Sequence, residues 1–181
     1  MTNIISLDRY KKEQQVDRIF GPWKIRFTDT FALNTTLPDF KNETLFSLAQ
    51  PGDNSTERFY ELIMAILKLG SAIEFHYLDD YRKMDVVDRH LFLADHVRFE
   101  IMRRLNWITR YPCQERPLVD MIEHFKDAQN EMLGNAPILS ADQPTAAIYR
   151  VLTVREKQVH IRQMLVGALE AFGARLTLKK K

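Results

Sequence analysis

With one cysteine, Cys113, the chain has no internal disulfide and no paired-cysteine metal or redox motif. Glycine and proline are scarce, six and seven among 181 residues, which favours long regular elements over a loop-rich sandwich. Long hydrophobic runs are missing too. The longest uncharged apolar stretch is Leu62 to Leu67, far short of the roughly 20 residues that cross a bilayer. The basic and acidic opening (Asp8, Arg9, Lys11, Lys12) is followed by no apolar signal segment. These absences lead to the expectation of a cytoplasmic protein with no membrane span.

What is there is ordinary globular composition, 45% apolar and 28% charged, enough for one domain with a real core. The sequons at Asn34, Asn42 and Asn54 are read as turn and cap chemistry, since Asn, Ser and Thr gather wherever helices begin. The net charge of +2 is unevenly spread: residues 1–27 carry +3, residues 173–181 carry +4, and the middle is left at −5. Basic ends can meet nucleic acid or acidic lipid, but no readout motif accompanies them, so they are read as solvated termini.

Apolar spacing divides the chain into helices. A weak amphipathic helix or partly ordered arm covers 1–20, with Gly21-Pro22 as its stop. In Trp23–Thr28 apolar and polar residues alternate, as they do in Arg175–Lys179; both are read as strands and expected to pair with each other. A short helix follows around Phe40 to Ala49. Asn54 and Glu57 have the spacing of a capping box before a broad apolar helix reaching about Asp79. A break is placed in Asp80–Met84, with Asp85 as the next cap. The second long helix, 86–108, carries Val87, Leu91, Ala94, Ile101, Leu105 and Ile108 on one face. Pro117 opens a third, stopped by Gly134. Pro144 opens a last run to Phe172, broken near Thr153, where Thr153 and Glu156 form another capping-box pair, and ended by Gly173. The fold expected is therefore a mainly α, single-domain bundle of five to six helices, with one small two-stranded sheet joining 23–28 and 175–179.

The search for chemistry returns little. Acid–histidine pairs at i, i+4 (His76–Asp80, His96–Glu100, Asp120–His124, Glu156–His160) are what chance supplies among 24 acids and five histidines. Neither the Glu-x-x-His of di-iron bundles nor His-Glu-x-x-His occurs, so no metal site, cofactor or catalytic residue is assigned. Cys113 has no histidine near it in sequence, and there is no nucleophile elbow or phosphate-cradling loop. Leu152–Lys157 is similar to the opening of the helix-turn-helix domain in LuxR-type regulators, with too little chain after it for a recognition helix in the usual position. It implies nothing further.

Two constellations remain. On a helical projection His90 falls within the apolar face of 86–108 and Glu74 within that of the preceding helix. A hairpin turning near Arg82 would bring them level, with Arg98 deeper. Glu74, His90 and Arg98 would then form a buried polar network or line a ligand pocket, because buried charges must be paired. Around the same helix Phe92 and Phe99, close to His96 and Arg103, form a second apolar face, which is either internal or an interface. The functional expectation is a non-enzymatic interaction or regulatory protein that binds a protein partner or itself as a homodimer. The alternative is a small-molecule- or metal-binding protein, or an enzyme, with its pocket near Glu74, His90 and Arg98.

Overall fold

A computed structural model describes residues 7–178. The chain is mainly α-helical and forms one compact domain, with eight α-helices among the described residues. In order these are α1 (Leu7–Arg26), α2 (Asn42–Ala49), α3 (Asp53–Ile66), α4 (Asp80–Arg104), α5 (Leu118–Glu123), α6 (Phe125–Gly134), α7 (Ala146–Val151) and α8 (Val154–Leu178). Short 3-10 turns cover Leu37–Asp39 and Ala72–Tyr77. A two-stranded antiparallel ribbon pairs β1 (Ile108–Arg110) with β2 (Ile138–Leu139), Ile108 opposite Leu139.

The expected pairing of 23–28 with 175–179 is wrong. Trp23–Arg26 close α1 and Arg175–Leu178 close α8, while Lys179 lies outside the described residues. The period-two pattern misled because it covered six residues. Over a longer window Ile19, Phe20, Trp23 and Phe27 make a helical stripe: Ile19, Phe20 and Trp23 are buried, while Ile25 points into solvent. Gly21-Pro22 does not stop α1 either. Pro22 sits inside the helix, and what offsets its missing N–H is the environment of Trp23 one residue on. The rings of Phe20, Phe27, Phe31, Phe40 and Phe59 surround that indole, whose Nε1 donates to the Arg58 carbonyl at 2.8 Å.

The apolar interior divides into two clusters. One joins α1, α2, α3, α5 and the face of α4 carrying Val86, Leu93, Val97 and Ile101. The other lies on the far side of α4, where Phe99 and Met102 meet Ile108, Tyr111, Leu139, Tyr149, Ile161, Leu165 and Ala168. Asp79 accepts from the Arg82 amide to start α4, six residues before the expected cap at Asp85. Thr153 and Glu156 exchange the reciprocal bonds of a capping box at α8, as expected. No described helix is long and apolar enough to cross a membrane.

Candidate functional site

The predicted trio does not assemble. The chain leaves α3 at Ile66 and turns through Lys68 and Gly70, both at positive φ (57° and 95°), so no helical hairpin centred on Arg82 exists. Glu74 is exposed. Its Oε2 accepts from the Ser71 amide at 2.5 Å and hydroxyl at 3.1 Å, a capping box that holds its carboxyl below the ordinary range. His90 is half-buried between the rings of Phe59 and Tyr60, and burial first, then the charge of Arg98, pushes it down. Arg98 pairs with Asp95 at 3.5 Å and lines a groove between α4 and α8. No hydrogen bond or ion pair joins any two of the three, so the buried network expected of them is corrected.

The second constellation is assembled, but inside. Phe99 and His96 are fully enclosed because α7, α8 and the β-ribbon cover that side of α4, and Phe92 is half-buried against Phe125 of α6. The candidate interface of Phe92, His96, Phe99 and Arg103 is therefore internal. His96 lies among the rings of Phe92, Phe99 and Tyr111. Its Nδ1 is 2.7 Å from the Phe92 carbonyl, and burial pushes the imidazole down to about 4 and keeps it neutral.

Arg103 belongs to a network that sequence reasoning missed. Glu100 is fully buried and accepts from Arg103 at 2.7 and 2.8 Å, from Arg104 at 2.8 Å and from the Tyr111 hydroxyl at 3.0 Å. Burial alone would raise the Glu100 carboxyl, but the two guanidiniums outweigh it and hold it low. Burial, with the Glu100 charge beside it, drives the Tyr111 phenol strongly upward. Arg104 continues to Asn42 Oδ1 (2.6 Å) and the Pro38 carbonyl (3.0 Å), tying α4 to the start of α2. Every charge here is satisfied within the fold, as a structural clamp requires. The sequence signal was Glu100 followed at i+3 and i+4 by two arginines.

Cys113 is likewise structural. Its thiol is buried, donates to the Ala128 carbonyl at 3.4 Å and is pushed up to about 12 by burial, so almost no thiolate exists near neutrality. Its positive φ of 62° is held by Glu131, which accepts from the Cys113 amide at 2.8 Å and from Arg116 at 2.9 Å. Among the described residues no three His, Cys, Asp or Glu side chains gather as metal ligands would.

The surface is uneven in a different place. Between Ile73 and Leu91 five large apolar side chains stand more than half exposed: Ile73, Tyr77 (85%), Tyr81 (82%), Met84 and Leu91. Tyr81, Met84 and Leu91 share one face of α4 at i, i+3, i+10. Asp80 and Asp88 stand beside them and make no ion pair among the described residues. No family model matches this chain, and no curated protein or solved structure matches it either.

Proposed function

We propose that the protein is a non-enzymatic interaction or regulatory protein, and that it engages a protein partner through Tyr77, Tyr81, Met84 and Leu91. The observation that carries this reading is the concentration of exposed aromatic and aliphatic side chains along 73–91. Isolated exposed apolar residues are normal on any protein, whereas a run of them rimmed by polar groups marks contact surfaces. Tyr and Met are also the side chains enriched at interface centres. The acidic rim at Asp80 and Asp88 favours a segment whose apolar anchors are flanked by lysine or arginine.

A photo-crosslinking benzoylphenylalanine in place of Tyr81 tests this in cells. The expected product is a discrete adduct with another protein that is absent when the same group replaces the exposed Asp142. Adding Tyr77→Ser and Met84→Ser should abolish the adduct while the thermal midpoint stays where it was. Equal labelling from positions 81 and 142, or an adduct indifferent to the double substitution, would show that this face binds nothing specific.

A further inference from the structure

We infer that α8 carries a second, self-complementary surface on which two copies of this chain pack antiparallel about a two-fold axis at Val166. At 100° per residue Val159, Arg162, Val166, Glu170 and Gly173 fall on one stripe of α8, turned away from the buried stripe of Ile161, Leu165, Ala168 and Phe172. Val166 is 69% exposed and Val159 half exposed, so the stripe is open from Val159 to Glu170 and closes at Gly173 against Phe46.

The order of charges along it selects the occupant. Arg162 and Glu170 stand four residues to either side of Val166, and Val159 and Gly173 seven to either side. With Val166 on the axis, Arg162 of one copy faces Glu170 of the other, twice by symmetry, and Val159 faces Gly173. A two-fold interface needs this reciprocal placement. A parallel arrangement would set Arg162 against Arg162 and Glu170 against Glu170, so like charges exclude it. Both side chains are exposed and free to swing toward a second copy. Arg162 is 65% exposed and reaches only Asp95, at 3.6 Å, and Glu170 makes no hydrogen bond or ion pair among the described residues.

Gly173 sets the helix contact beside it. A Cβ there would come within 2.9 Å of the Phe46 ring, so glycine lets α8 lie close to α2. Beside that contact lies an apolar groove of about 740 Å³ lined by Phe46, Pro51, Leu165, Leu169 and Ala174, with Arg98 at its wall. Val159 of the second copy is positioned over it. Exposed ion pairs contribute little affinity by themselves, so the Arg162–Glu170 pairs set orientation while the valines and the groove supply burial.

This surface is independent of the Tyr81 face, and sedimentation velocity on the full chain tests it. The wild type should dimerise as its concentration rises. Glu170→Arg alone and Arg162→Glu alone should each raise the dissociation constant by at least about ten-fold. The double variant should return it to within about three-fold of wild type, because the reversed charges again face opposite partners. Val166→Cys should yield an intermolecular disulfide on oxidation with diamide, while buried Cys113 stays reduced. Thermal midpoints serve as the folding control, since all three positions are exposed. A wild type that remains monomeric overturns the inference, as does a dimer insensitive to single reversal or not restored by the double one. A monomer that retains an amphipathic anion in the groove overturns it as well.

Discussion

Between Leu93 and Arg104, α4 is enclosed on opposite sides by the two hydrophobic clusters, whereas between Asp80 and Leu91 the same helix turns Tyr81, Met84 and Leu91 outward. Both halves are rich in large apolar and charged residues, and no glycine or proline separates them. In the C-terminal half, Glu100, Arg103 and Arg104 satisfy one another and their neighbours, leaving nothing for an outside ligand. In the N-terminal half, Asp80 and Asp88 make no ion pair among the described residues, and Tyr81, Met84 and Leu91 are more than half exposed. What separates the covered half of this helix from the exposed one is not composition but what lies opposite each side chain.

Three measurements sharpen that contrast. The largest effect is expected from Glu100→Ala, which leaves Arg103, Arg104 and the Tyr111 hydroxyl without their shared acceptor; removing one member of a buried ionic cluster costs about 3–5 kcal/mol. Urea titration should show the loss, and a midpoint within error of wild type would mean the network is dispensable. Next comes His96. Its folded pKa lies below its unfolded value of 6.5, so between those two values the unfolded chain binds the proton more readily. The stability that the neutral imidazole contributes is therefore complete above pH 6.5 and is lost as pH falls toward about 4, by about 3 kcal/mol in all. His96→Leu should flatten the stability profile across that window relative to wild type; parallel profiles would place the acid sensitivity elsewhere. The smallest effect on stability belongs to Tyr81→Ser, less than about 0.5 kcal/mol because that side chain touches little. A large loss there would make the exposed half of α4 part of the core and erase the comparison.

Much of this was readable before any coordinates. The mainly helical single domain, the break at Thr153 and the end of α6 at Gly134 follow from periodicity and caps. Other boundaries were hidden by competition between local signals. Gly70 was read as a helix-interior residue, yet Ser71 and Glu74 behind it form a capping box, and that pair outweighed the apolar continuity from Leu62 to Tyr77. Once the break moved from Asp80–Met84 back to Leu67–Gly70, Glu74 left the level of His90 and the imagined pocket dissolved. On 86–108 two apolar faces were visible, but not whether the second was internal or an interface, and the first was drawn to include Leu91, which is exposed. A helical projection assigns faces relative to one another, and only the elements packed around the helix decide how many of them are covered. The outward face at Tyr77, Tyr81 and Met84 was invisible for the same reason, since its residues look like core.

The two longest helices with buried faces, α4 and α8, each contribute to both clusters. Phe172 sits with Leu93 and Val97 in one, while Ile161, Leu165 and Ala168 sit with Phe99 and Met102 in the other. Neither cluster can be opened without disordering a rod that the other also depends on. The domain should accordingly come apart in one cooperative step rather than half by half, with the slowest-exchanging amides distributed along both rods and sharing one protection free energy. Against that rigid pair, the 3-10 turn Ala72–Tyr77 and the first turn of α4 bury few side chains. They can rearrange around an incoming partner at a small fraction of the free energy needed to unfold the rest.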